Sequence, residues 1–436
     1  MANANVINIK ASRDETVVFL VSSIDHKLNG LSADTSFSYP SSIYRVPEQR
    51  RKANEAAYTP RLVSIGPLHR ERGELQGMES YKLRCLRNFL TRSGVGLDDL
   101  VMFVADWETY VQGCYQDTSN LNSEQFLEMT LLDGIFIVEL FLKNHFPQLR
   151  EGSDVIFRNR WMWSDLLHDM LLLENQLPIN VIKGLLNFMD HSFLIGITLL
   201  DLAHEFFKDV GNTEKLPLTE HCYCARHFVE FLLFLHSPVD PREPPSFPAM
   251  KFEYTRSATE LQQAGVKFRC AEGSSLFDVV FIEGELTLPS LIVNDWTETF
   301  FRNLIASEQC GYYAKDVTSY VILMDSLINT PEDVALLVKH GIIKNALGEN
   351  EAVADLFNNL YKEVVTDEFY FAQLCGDLNK YSKDPFHEFK SKWFRWRRML
   401  RRAYFSNPWS LISLFAAVVL LILTVIQTVC SILQVK

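Results

Sequence analysis

Cysteine is sparse, eight in 436 residues, so the dense disulfide framework of small secreted domains is not indicated. Cys85, Cys114, Cys222, Cys224, Cys270, Cys310, Cys375 and Cys430 fall mostly within apolar patterns and read as reduced core thiols. There is no GxxxxGK[ST], no GxGxxG after a strand and no GxSxG, which leaves phosphate-loop, dinucleotide and hydrolase-elbow chemistry without support. No Asn-x-Ser/Thr acceptor occurs, as expected of a body that does not enter the secretory lumen. No period of about 20 to 50 residues repeats, which argues against a solenoid. The first thirty residues lack a signal-type apolar run and mix Arg13, Asp14 and Glu15 into their opening.

A surplus of positive charge is missing too. The chain carries 42 Lys plus Arg against 54 Asp plus Glu, a net charge of -12. Such a surface repels phosphate backbones, so nucleic acid is not an expected partner. What the chain does have is apolar mass: 47% hydrophobic residues, with 31 Phe and 7 Trp. That composition excludes wholesale disorder, and the length accommodates two or three packed units at about 150 residues each.

Charge is unevenly placed. Lys390, Lys392, Arg395, Arg397, Arg398, Arg401 and Arg402 are seven cations in a stretch without a carboxylate, so the remainder of the chain nets -19. Trp393, Trp396 and Trp409 are interleaved with or follow them, giving the composition of a membrane-interface belt. From Ala403 to Val435 no residue is charged, and the 23 residues Leu411 to Leu433 read as a C-terminal transmembrane helix of roughly 34 Å at about 1.5 Å per residue. Seven cations before the span and only Lys436 after it predict a cytosolic body, a single-pass tail anchor and a lipid bilayer as partner.

Elsewhere helical periodicity dominates. In Glu351 to Val364 the residues Val353, Leu356, Phe357, Leu360, Tyr361 and Val364 form one apolar stripe. Met78–Arg92, Leu97–Cys114, Trp161–Asn175, Pro178–Met189, Phe193–Phe207 and Glu220–Leu235 read similarly. Ser257 with Glu260 forms a capping box closed by Gly265, and Thr330 with Asp333 opens a helix that Gly341 ends. Met129–Leu142 is apolar but short and contains Asp133 and Glu139, so it is expected as a buried helix with Ser123 as N-cap. Strand-prone runs gather in residues 266–293 and predict a small antiparallel insert. The fold class is therefore mainly α: a multi-helix globular body, this β insert and one transmembrane helix.

Seven ordered segments carry a resemblance: IYRVPEQRRKANEAAYTPRLVSIGPLH, MESYK, LLDGIFIVELF, LLLENQLP, ATELQQAGVKF, FRNLIASEQC and VTSYVILMDSLINTPEDVALLVKHGII. Together they resemble the plant family catalogued as domain of unknown function 247, or uncharacterised protein family 0481. The resemblance implies a predominantly helical domain and a C-terminal membrane helix, and some grass members are implicated as pollen-side determinants of self-incompatibility. On this basis the chain divides into a variable segment 1–40, a helical half 41–236, a linker 237–249 with five prolines between Ser237 and Pro248, an α+β half 250–389, a basic-aromatic segment 390–409 and the span 410–434.

No constellation specifies a catalytic residue, a cofactor or a metal site. Arg45 is expected to pair with a buried carboxylate such as Glu174, a structural reading of Asp133, Glu139 and Glu174; the alternative gives these carboxylates acid–base work in a pocket. Asp133 and Glu139 stand six apart, about 240° around a helix, and do not share a face. His221, Cys222, Cys224 and His227 are metal-like in composition but lack a second ligand pair at zinc spacing, and Cys310 has no specified His partner. The expected function is a membrane-tethered recognition or signalling protein that binds an unknown protein partner, with a membrane-tethered enzyme of unfamiliar type as the alternative.

Overall fold

The computed structural model describes residues 20–25, 41–116, 121–152, 154–189, 194–238, 253–271, 275–311, 314–362, 364, 368–383, 416 and 419–428. Its centre is the helix Ser123–His145, whose residues from Met129 to Lys143 are all buried. This agrees with reading Met129–Leu142 as an interior helix. Its N-cap is Asn122, one residue earlier than expected, because Asn122 and Gln125 form a reciprocal capping box. Helices Glu79–Ser93, Leu97–Asp106, Ile179–Leu186 and Leu199–Phe206 pack around it. At Gly134 a Cβ would stand 2.4 Å from Leu185 Cδ1, so any larger residue there would force the Leu185 side chain to move.

Local signals located the helices but overran their ends. Leu97–Cys114 breaks at Trp107 into Leu97–Asp106 and Glu108–Gly113. Trp161–Asn175 stops at Met170. Phe193–Phe207 begins at Leu199 behind a Thr198–Asp201 capping box. Glu220–Leu235 is a short 3-10 turn, Glu220–Cys224, followed by Phe228–His236. The capping boxes at Ser257–Glu260 and Thr330–Asp333 form as read, and Gly265 and Gly341 take positive φ.

The β segment is not the antiparallel insert expected. Strands β1 (Lys267–Ala271), β2 (Val280–Ile282) and β3 (Glu285–Pro289) form a mixed sheet in the order β1-β3-β2, with β1 parallel and β2 antiparallel to β3. Glu283 and Gly284, both at positive φ, make the two-residue turn that folds β3 back between β2 and β1. Strand β4 (Leu291–Val293) leaves this sheet and pairs in parallel with β5 (Ile343–Asn345), a run outside residues 266–293. Strand composition marked the runs, but their direction was set by how the chain returns. The apolar core continues from Ile43 through Phe228–His236 to Thr297–Cys310, Asp316–Leu327 and Leu378.

The expected transmembrane helix is corrected. Among the described residues no helix is long and apolar enough to cross a membrane. The described helical run within Leu411–Leu433 is 419–428, which at about 1.5 Å per residue rises about 15 Å against a hydrocarbon core of about 30 Å. The rest of that span lies outside the described residues. The single-pass localisation, the tail anchor and the cytosolic orientation all rested on that helix and lose their support. The proposed interface residues Lys390, Lys392, Trp393, Arg395, Trp396, Arg397, Arg398, Arg401, Arg402 and Trp409 also lie outside the described residues, as do 239–249 of the linker.

Candidate functional site

The helix Arg160–Met170 ends just before the run LLLENQLP, and that run turns through the interior as irregular backbone. Buried irregular backbone leaves amides unpaired, and the polar side chains here meet that need across the chain. Asp169 accepts from the N–H groups of Arg61, Leu62 and Val63 at 2.8, 2.7 and 2.8 Å. Asn175 Oδ1 accepts from Ile65 N at 2.7 Å, and its amide donates to the carbonyls of Val63 and Asp169. Gln176 donates to the carbonyls of Met170 and Leu172 and accepts from Phe228 N. The segment 61–66 is thus held residue by residue, with Lys82 donating to Ser64 O and Asp133 accepting from Gly66 N at 2.8 Å.

The three expected carboxylates are each engaged. Asp133 lies 2.5 Å from Lys82 Nζ, with both side chains wholly buried. Burial raises its pKa, with Lys82 and the Gly66 N–H opposing. Glu139, on another face of the same helix, lies 2.5 Å from Arg92 Nη1, and burial raises its pKa against that cation. Glu174 accepts from Val46 N at 2.6 Å and from Arg51 Nη2 at 2.5 Å, and its second oxygen is 3.1 Å from His69 Nε2. Burial pushes Glu174 up, but His69, Arg51 and the Val46 N–H together bring it below the usual glutamate range. It stays a carboxylate, which suits a structural anchor better than a proton donor.

The pairing of Glu174 with Arg45 is not the one formed. Arg51 takes that place, because the helix Glu48–Ala53 starting after Pro47 turns Arg51 inward while Arg45 stays exposed in the extended segment before it. Both arginines nonetheless line one cleft of about 590 Å³, with Tyr44, Val46, Pro47, Glu48, Gln116, Glu174 and Cys310. The motifs IYRVPEQRR, LLLENQLP and FRNLIASEQC, far apart in sequence, meet there. Asp133 and Glu139 do not line it. The thiol of Cys310 is raised by burial, with Arg50 and Lys315 pulling it down.

His221, Cys222, Cys224 and His227 do not converge. His221 and Cys224 face outward and Cys222 is buried. His227 caps the helix Phe228–His236, its Nδ1 accepting from Glu230 N and its Nε2 lying 3.0 Å from Ser42 O. Among the described residues no group of three His, Cys, Asp or Glu side chains is placed to hold a metal ion. Sequence reasoning missed Arg51, His69, Asp169 and Asn175. The signal that was present is the polar triplet Glu174–Gln176 inside a leucine-rich run, since buried polar groups require partners.

The family model described as plant protein of unknown function, DUF247, matches residues 43–423. UPF0481 protein At3g47200 of Arabidopsis thaliana is 30% identical over 425 residues, covering 90% of this chain and 86% of the relative. Putative UPF0481 protein At3g02645 of the same plant is 24% identical over 484 residues, covering 88% and 89%. No solved structure matches the chain. The motifs that converge on the cleft therefore lie within the matched region, and the chain belongs to this plant family of unknown function.

Proposed function

We propose that the protein is a recognition or signalling component that binds another protein, and not an enzyme. The observation that carries this reading is the state of the buried carboxylates. Asp133, Glu139 and Glu174 are each tied to a cation, Asp133 and Glu174 also to backbone N–H groups, and of the three Glu174 alone lines the 590 Å³ cleft. Carboxylates committed to holding backbone are poorly placed to shuttle protons. The net charge of -12 favours a protein over a nucleic acid as partner. The family resemblance extends the reading to pollen-side self-recognition.

Proximity labelling from the full chain tests it. The native protein is expected to label a reproducible set of proteins above background. A chain that labels nothing above background, or a Glu174→Gln protein that folds normally yet loses all biological function, favours chemistry over recognition.

A further inference from the structure

The cleft that brings Arg45, Arg51, Glu174 and Cys310 together has a charge character unlike that of the chain. Arg45 and Arg51 line it, and so do the carboxylates Glu48 and Glu174. Its lining is thus neutral, two cations against two carboxylates, in a protein of net charge -12. A neutral concavity in an acidic chain spares an anion the repulsion it meets elsewhere on the molecule.

Arg51 also has donors to spare. Its guanidinium gives one N–H to Glu174 and a long one, 3.5 Å, to Tyr58 O. Three of its five N–H groups therefore have no acceptor among the described residues. The side chain is 16% exposed, pinned at one edge by a wholly buried carboxylate. A guanidinium held this way is pre-organised for a planar oxyanion, since its orientation has been settled before any ligand arrives.

We infer that the cleft receives a carboxylate of an acidic peptide segment, which accepts from the unspent N–H groups of Arg51 and faces the guanidinium of Arg45. This rests on the recognition reading and specifies its partner: a polypeptide that presents acidic side chains, or a free C-terminus, to the cleft.

Cys310 supplies a local reporter, because it is half-buried in the cleft wall while Cys224 is exposed elsewhere. The experiment follows alkylation of both thiols by iodoacetamide in the full-length protein, using peptide mass spectrometry. Acetylated and amidated hexaglutamate is expected to slow alkylation of Cys310 at least threefold and leave Cys224 unchanged. Arg45→Glu should abolish that protection, and Glu48→Lys should lower the half-protecting concentration at least threefold. Arg51→Gln strips Glu174 of its cation and threatens the fold, so Arg45→Glu carries the test. Acetyl-hexaglutamine with a free terminal carboxylate separates the two sources: protection by it assigns a chain terminus, and protection by hexaglutamate alone assigns acidic side chains.

Fluorescence anisotropy of labelled hexaglutamate gives a reading independent of thiol reactivity, with Arg45→Glu expected to weaken binding at least fivefold. Protection equal in native and Arg45→Glu proteins, binding indifferent to both charge reversals, or stronger protection by inorganic phosphate or hexalysine overturns the inference. Partner labelling that survives both charge reversals sinks the carboxylate assignment and leaves the recognition reading standing. Labelling that never rises above background sinks the reading while the hexaglutamate result stands on its own.

Discussion

Arg51 Nη2 lies 2.5 Å from Glu174 Oε1, with the carboxylate 1% and the guanidinium 16% exposed, while Arg45, six residues earlier, remains at the rim of the same cleft. This pair ties the helix Glu48–Ala53 to the interior turn LLLENQLP, and the Val46 N–H ties the segment before Pro47 to the same carboxylate.

Removing one partner of that pair strands the other. Glu174→Ala leaves Arg51 and the Val46 N–H without their acceptor and should cost about 3 to 5 kcal/mol, whereas Glu174→Gln keeps an acceptor for Val46 and should cost about 1 to 3 kcal/mol. Arg45→Ala at the exposed rim should stay within about 0.5 kcal/mol of the native protein. Urea unfolding followed by circular dichroism measures all three, and an Arg45 variant as damaging as Glu174→Ala would contradict the assignment.

Asp169 serves three successive backbone N–H groups at Arg61, Leu62 and Val63. Asp169→Ala orphans all three at once, so a loss of about 3 kcal/mol or more is expected, and Asp169→Asn, which retains one carbonyl oxygen, should fall between it and the native protein. Faster hydrogen exchange at residues 61–63 is the accompanying signature. Unchanged exchange there would show that this carboxylate is not what holds the segment.

Gly66 and Gly94 form a matched pair. Both have positive φ, +73° and +69°, but a Cβ at Gly66 would lie 2.7 Å from Gln176 O and 2.8 Å from the Tyr115 hydroxyl, whereas at Gly94 it meets nothing within 4 Å. Gly94→Ala should therefore cost only the left-handed backbone penalty of about 1 kcal/mol, and Gly66→Ala at least about 1 kcal/mol more. Equal melting temperatures would refute the close approach at Gly66.

Two buried histidines oppose acidification. Burial lowers His227 to about 4 and His236 to about 3, and neither ring nitrogen of His236 has a hydrogen-bond partner among the described residues. A depressed folded pKa means that the stabilisation is complete above the unfolded value of about 6.5 and is lost as pH falls from there through about 4 and then 3. Each histidine contributes a slope of about 1.4 kcal/mol per pH unit in that window. His236→Leu should remove one such slope between pH 6 and about 4 with little loss at pH 7. An acid profile parallel to the native one would show that His236 titrates normally.

Features closed within a few residues were legible in the sequence. The capping boxes at Ser257–Glu260 and Thr330–Asp333 and the stripe of Val353, Leu356, Phe357 and Leu360 depend on neighbours three or four positions away, so composition and spacing suffice to find them, although that helix closes at Leu360 and leaves Tyr361 and Val364 beyond its end. The interior character of Met129–Leu142 was legible for a related reason, since its two carboxylates and short length left burial as the cheapest solution. The family was legible in the order of its motifs, and the model match over residues 43–423 agrees.

Whatever depended on a distant return of the chain was decided by the tertiary structure alone. The choice of Arg51 over Arg45 turns on where a six-residue helix begins after Pro47. The parallel pairing of β1 with β3 and the recruitment of β5 from Ile343–Asn345 turn on the path between strands, which local propensity does not encode. Hydropathy over Leu411–Leu433 measured composition and took continuity for granted, and no helix of the required length is found among the described residues. The sequence by itself marked Asp133, Glu139 and Glu174 as buried groups in need of partners. Only the packed chain could say which partners reach them, because a hydrogen bond or an ion pair is satisfied by position within about 3 Å and not by nearness along the chain.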